Sequence, residues 1–335
     1  MWIDWLTFLL SATAIVLAGI RLAPFGDALG NRIGIGQGWI GLIFLATLTS
    51  IPEMTTTVTG ASIGVPNIAI GNAFGSNLFN VVIVAIMDII LLIRRKPAFL
   101  SRVHPYHTIS GGLSILLTTL AILGIVLKPT WSLFGVSPIS FLLLIGYAGG
   151  VFLLFRAERQ IEAEDIDGED SMSFSRALVG FLLCGAVIVA SGFFLIHSSK
   201  AITTASGLSA SFMGAILVAI VTSLPELATS IGALRIGAHD MIVANLFGSN
   251  MFNILTIFFA DIAFRGRPIT SALGAGEADQ LVVAAFGILL TAVALVAIAS
   301  KPRRRRTLGI GVDTAILLIV YAAATAVIIG RGIQL

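Results

Sequence analysis

The sequence predicts an all-α, polytopic membrane protein with ten transmembrane helices in two inverted five-helix repeats. Three observations predict it. Hydrophobic residues make up 57% of the 335 and charged residues only 11%, with a mean hydropathy of +1.03, which excludes the ordinary soluble classes. Apolar runs of about 20 residues, the length that crosses a bilayer as a helix, can be counted ten times. One pattern also occurs twice in constant register. Thr49-Ser50-Ile51-Pro52-Glu53 returns 173 residues on as Thr222-Ser223-Leu224-Pro225-Glu226, and Asn72 to Asn80 returns as Asn245 to Asn253. An odd number of spans per copy inserts the second copy upside down, the inverted-repeat architecture of secondary transporters.

The first run, near 3–20, follows an N-terminus with neither a basic stretch nor a small-residue cleavage site, so it reads as a span and not a removable leader. The second, near 38–62, carries Thr49 to Glu53. The third, near 68–93, carries Asn72 to Asn80 and ends at Arg94-Arg95-Lys96. Spans near 107–127 and 138–156 complete a first repeat, 1–155. Residues 156–175 form an acidic linker with Glu158, Glu162, Glu164, Asp165, Asp167, Glu169 and Asp170, without the spacing of a calcium-binding loop. The second repeat, 176–335, has spans near 176–197, 210–234, 241–264, 280–300 and 310–330. All but five of the 20 Lys and Arg follow odd-numbered spans; the exceptions are Lys128, Lys200, Arg265, Arg267 and Arg331. This bias puts the linker in the cytoplasm and both termini outside it, in a cell inner (plasma) membrane. The basic runs therefore read as topology anchors in the lipid bilayer, with no nucleic-acid partner.

The paired motifs place polar groups where lipid-embedded helices should have none, which marks a functional site. Thr49, Ser50 and Glu53 share a helix face. Pro52 lacks an N–H, so the helix should kink there and expose main-chain oxygens. Ser76 and Asn80 share a face of the partner span, and Gly71 and Gly75 thin that helix for close approach. The second copy repeats the set with Thr222, Ser223 and Glu226 facing Ser249 and Asn253. A pseudo-two-fold axis would bring Glu53 and Glu226 together near the midplane. Carboxylates, hydroxyls, amides and carbonyls form an all-oxygen cluster suited to hard cations (sodium, calcium or a proton) and not to zinc or copper.

These motifs resemble the α-repeats of the cation/calcium antiporter superfamily, and the whole chain is most similar to its prokaryotic sodium/calcium exchanger branch. The resemblance implies an antiporter, not an enzyme, that binds calcium and sodium alternately at central sites. Spans two, three, seven and eight would form those sites, and spans one and six would move against them. By position, Glu53 and Glu226 look like the calcium ligands. Thr49, Ser50, Ser76, Thr222, Ser223 and Ser249 look like oxygens of flanking sodium sites, with Ala46 and Ala219 giving backbone carbonyls. Some members carry Asp where this chain has Asn253, the counterpart of Asn80. Two carboxylates balance one calcium, two sodium ions or two protons, so stoichiometry and coupling ion stay open.

Rival readings are a proton-coupled calcium or other divalent exchanger, a passive cation channel, and an intramembrane hydrolase. No Ser-His or metal-ligand constellation accompanies the glutamates, which argues against hydrolysis. The G-x-G-x-x-G match at 36–41 follows no strand, and no P-loop occurs, so neither a bound cofactor nor ATP is expected. Cys184 stands alone, which rules out an internal disulfide. Asp88 and Asp261 also obey the 173-residue offset, but each lies twelve residues beyond its motif serine, about 18 Å along a helix; they read as interfacial. His104, His107, His197 and His239 read as surface or interfacial residues outside any cluster.

Overall fold

The computed structural model describes residues 1–32, 45–129, 131–133, 135–158, 172–264, 267–300 and 311–332. The 36–41 glycine motif, Arg265, Arg303 to Arg306 and most of the acidic linker lie outside the described residues.

Apolar residues all round, not a single apolar stripe, mark helices whose solvent is lipid. Among the described residues, nine helical stretches are long and apolar enough to cross a membrane. Residues 45–49 are also helical and lead into α2 (Ile51–Ser62), the described part of the expected second span. In chain order the other elements of the first half are α1 (Trp2–Arg32), α3 (Pro66–Ile93), α4 (His107–Leu127) and α5 (Pro138–Glu158). The second half begins with α6 (Phe174–Ser206). Next comes α7 (Ala210–Phe212), a π-helical turn (Met213–Val218) and α8 (Ala219–Thr222). It ends with α9 (Leu224–Ile236), α10 (His239–Ala263), α11 (Glu277–Ala299) and α12 (Val312–Gly332).

Local sequence explains where these helices start and stop. Proline occupies the first turn of α2, α3 and α9, where a missing N–H leaves no bond unmade. Gly64 and Gly237, 173 residues apart, turn the chain from α2 into α3 and from α9 into α10. Their φ angles of 75° and 82° lie in the left-handed region that glycine enters without strain.

The most buried spans are α3 and α10, 67% and 83% enclosed over their apolar windows, against 22% for α5 and α6. That ordering decides which helices can shelter polar groups from lipid. Two apolar clusters flank the middle of this pair: Val81, Leu246 and Phe247 on one side, Phe74, Met251 and Ile254 on the other. Close approach is built from small residues. A Cβ on Gly75 would lie 2.1 Å from the Ala215 carbonyl oxygen in the π-helical turn, and one on Gly248 would lie 2.9 Å from Ala46 Cβ. Helices α1 and α6 pack against each other along their length. Each turns a glycine toward a motif helix of the opposite half: Gly19 meets Pro225, and Gly192 meets Thr55.

Candidate cation site

The two proline motifs adopt one backbone shape. Ser50 has φ −91° and ψ 10°, and Ser223 has φ −90° and ψ 6°, just outside helical values. The helical ladder closes around each break: Ser50 N–H donates to Ala46 O at 3.2 Å and Ser223 N–H to Ala219 O at 3.1 Å. The kink is thus local. The Ala46 carbonyl is not released by proline; it keeps its helical bond and also accepts from Ser249 Oγ at 3.3 Å. Ala219 O likewise accepts from Ser223 N–H and from Thr222 Oγ1 at 3.3 Å.

The breaks aim each motif at the other half. Glu53 and Glu226 are both 0% exposed. Ser223 Oγ donates to Glu53 Oε1 at 2.8 Å. Ser50 Oγ donates to Glu226 Oε1 at 3.2 Å, where Ser249 Oγ also donates at 3.4 Å. Each carboxylate is thus held by the serine of the opposite repeat, while the Oε2 atom of each has no hydrogen-bond partner among the described residues. A buried carboxylate oxygen left without a donor is costly unless something positive meets it.

Hydroxyls and amides complete the walls. Thr49 Oγ1 donates to Asn245 Oδ1 at 3.3 Å and lies 3.4 Å from Ser249 Oγ. Its counterpart Thr222 Oγ1 donates to Asn72 Oδ1 at 3.1 Å and lies 3.4 Å from Ser76 Oγ. Asn80 Nδ2 donates to Asn250 Oδ1 at 3.0 Å. Asn253 is fully buried, and neither its oxygen nor its nitrogen has a partner among the described residues. Every residue expected from the sequence is buried, and the contacts above join those other than Asn253 into a polar layer across the 45–49 segment and α2, α3, α8, α9 and α10. Among the described residues, no three His, Cys, Asp or Glu side chains converge as ligands for a metal ion. The available ligands are oxygens, the set that hard cations take.

Two pairs belong to this layer that the sequence reading quoted in the motifs but gave no role. Asn72 Nδ2 donates to Thr56 Oγ1 at 2.8 Å and Thr57 Oγ1 at 3.0 Å, which pins α3 to α2; Asn245 Nδ2 reaches Thr229 Oγ1 at 3.4 Å and does the same for α10 and α9. Asn77 and Asn250 donate across the pseudo-symmetry axis to each other's backbone oxygens, at 3.0 and 3.4 Å. All four obey the 173-residue offset, and that was the signal available to find them.

The outlying pair plays a different part. Asp88 accepts from Phe99 N–H at 2.7 Å and Thr314 Oγ1 at 2.6 Å. Asp261 accepts from Ile269 N–H at 2.7 Å, Ser137 N–H at 2.6 Å and Ser140 Oγ at 2.8 Å. Both are buried clamps that tie a helix end to a helix of the other repeat, so their oxygens are occupied away from the polar layer. His107, expected at the surface or the interface, is enclosed. It is 1% exposed, with Nε2 3.0 Å from Asp240 Oδ1, an oxygen that also accepts from His104 N–H at 2.6 Å. Its counterpart Gln280 donates from Nε2 to the backbone oxygen of Asn67, the counterpart of Asp240, at 3.0 Å.

Known proteins share this fold. The chain is 27% identical to the putative antiporter CaxA of Alkalimonas amylolytica, over 86% of this chain and 91% of that one. Its fold is similar to that of the H+/Ca2+ exchanger CAX, with a TM-score of 0.67 at 15% identity over 98% and 89% of the two chains. The sodium-calcium exchanger NCX_Mj gives a TM-score of 0.59 at 22% identity over 97% and 99%. The family model described as sodium/calcium exchanger protein matches residues 3–156 and 176–330. With two repeats that each complete the other's carboxylate, and a family match that covers both, the chain belongs to the sodium/calcium exchanger protein family.

Proposed function

We propose that this protein is a secondary active antiporter that exchanges calcium for sodium by alternating access at the buried polar layer. The observation that carries the reading is the pair Glu53 and Glu226, each fully buried, each held at one oxygen by the opposite repeat and free at the other. In this reading the two carboxylates hold calcium, with the amides of Asn80 and Asn253 beside them. Thr49, Ser50, Ser249 and the Ala46 carbonyl surround one flanking sodium site. Thr222, Ser223, Ser76 and the Ala219 carbonyl surround the other. Helices α1 and α6 form the layer that moves, ten spans are divided as 1–155 and 176–335, and 156–175 links them in the cytoplasm. The membrane is the cell inner membrane, with both termini outside the cytoplasm.

A second reading takes protons as the coupling ion, favoured by the carboxylate count: each of two carboxylates can take up one proton. Calcium-45 uptake into proteoliposomes separates the two. An outward sodium gradient should drive uptake, and an outward proton gradient alone should not. Uptake that follows protons and ignores sodium would select the second reading. Glu53→Gln and Glu226→Gln should each abolish uptake; exchange at wild-type rate in both would remove the site assignment.

A further inference from the structure

We propose that Asn72 and Asn245 are positioning residues that fix the direction of a hydroxyl proton. Each draws onto its own amide oxygen the proton of a threonine in the opposite repeat, Thr222 or Thr49. That hydroxyl then meets a cation with its lone pairs alone. The proposal rests on the antiport reading, in which these two threonines flank the sodium ions.

A hydroxyl has one proton and two lone pairs. A hard cation takes the lone pairs, and a proton aimed at the ion repels it. A threonine is therefore a good ligand only when some other acceptor claims its proton. Three oxygens lie within reach of Thr222 Oγ1: Asn72 Oδ1 at 3.1 Å, Ala219 O at 3.3 Å and Ser76 Oγ at 3.4 Å. Ala219 O already accepts from Ser223 N–H at 3.1 Å. The amide oxygen of Asn72 is the shortest contact and, unlike the Ser76 hydroxyl, can only accept.

The other end of the amide fixes which atom faces Thr222. Asn72 Nδ2 donates to Thr56 Oγ1 at 2.8 Å, Thr57 Oγ1 at 3.0 Å and Glu53 O at 3.3 Å. The carbonyl can only accept. The two hydroxyls spend their own protons on carbonyls, Thr56 on Pro52 O at 2.9 Å and Thr57 on Ala69 O at 3.5 Å. Turned over, the amide would set its oxygen against three acceptors. The bonds thus run one way, from Thr222 to Asn72, Thr56 and the Pro52 carbonyl. The second copy repeats this: Thr49 donates to Asn245 at 3.3 Å, Asn245 to Thr229 at 3.4 Å, and Thr229 to Glu226 O at 3.0 Å. The counterpart of Thr57 there is Ser230, whose hydroxyl has no partner among the described residues. Asn72 is therefore the more firmly set of the two.

A double-mutant cycle in the full-length protein tests this, read as initial calcium-45 uptake into proteoliposomes against internal sodium. Asn72→Ala should raise the sodium concentration for half-maximal uptake about threefold or more. The same shift should appear in a Thr222→Ser background, which keeps the hydroxyl. In a Thr222→Val background, with no hydroxyl left to orient, Asn72→Ala should add nothing. An equal shift in the valine background would make Asn72 a packing residue and overturn the proposal, as would no shift in the wild type. If one of these variants does not fold or transport, Asn245→Ala against Thr49→Ser and Thr49→Val decides in the same way. Wild-type uptake that ignores internal sodium, or no uptake at all, would instead overturn the sodium-coupled reading, and the proposal with it.

Discussion

Ser223 shows what a single side chain does here. Its hydroxyl is the donor, 2.8 Å from Glu53 Oε1, that orients a carboxylate belonging to the other repeat; Ser50 does the same for Glu226. A hydrogen bond to a charged group contributes about 1.5–3 kcal/mol. Ser223→Ala and Ser50→Ala should therefore each raise the calcium concentration for half-maximal uptake about tenfold or more while leaving the folded yield unchanged. Initial-rate titrations in vesicles check this, and an unaltered half-maximal concentration would mean that neither serine positions its glutamate. Glu53, Glu226 and their neighbouring hydroxyls were legible in the sequence because each contradicts the apolar run around it. The identity of each glutamate's partner was not. A crossed pairing, Ser223 with Glu53 and Ser50 with Glu226, depends on how two helices meet in space, and spacing within one helix carries no information about that.

Among the elements, α3 and α10 are set by how closely they can approach their neighbours. Gly75 stands against a backbone atom, the Ala215 carbonyl, 2.1 Å from where a Cβ would sit, and backbone cannot swing aside. Overpacking costs about 1–3 kcal/mol when side chains can give way, so Gly75→Ala should lower thermal stability by more than that range implies. Gly112→Ala on α4, with nothing within 4 Å, should leave the melting temperature unchanged. Thermal melting of the two variants in detergent tests the contrast, and equal melting curves would refute it. The need for small residues could be read from the sequence, since Gly75 and Gly248 lie in the repeated motif and Gly71 just before it. The π-helical turn opposite them could not, because nothing in Met213–Val218 distinguishes it from an ordinary apolar helix. Asp88 and Asp261 read as interfacial from their spacing alone, and their role as buried clamps depends on 3₁₀ turns at Phe99–Arg102 and Ile269–Ala272 that periodicity does not announce. His107 escaped for the same reason: Asp240, which pairs with it, lies 133 residues further along the chain.

At the scale of the whole molecule, orientation follows from charge placed between spans, where a Lys or Arg holds its connection on the cytoplasmic side. A membrane-impermeant maleimide applied to intact cells should label Arg331→Cys and not Arg95→Cys, both in a Cys184→Ala background. The reverse pattern would invert the proposed topology. The repeat fold was the most legible feature of all, because hydropathy counts spans and the 173-residue offset counts copies without reference to tertiary contacts. The crossed bonds between repeats also impose an order in time. A ribosome releases the first half into the membrane long before Ser223, Thr222 or Asn250 exists. Until then Glu53 has no serine to hold it, Asn72 Oδ1 no threonine, and Asn80 Nδ2 no acceptor. The nascent half must be sheltered or remain loosely packed for many seconds of synthesis. A chain that stops at the linker would leave its most polar residues facing lipid, a state that quality-control proteases can recognise as unfinished.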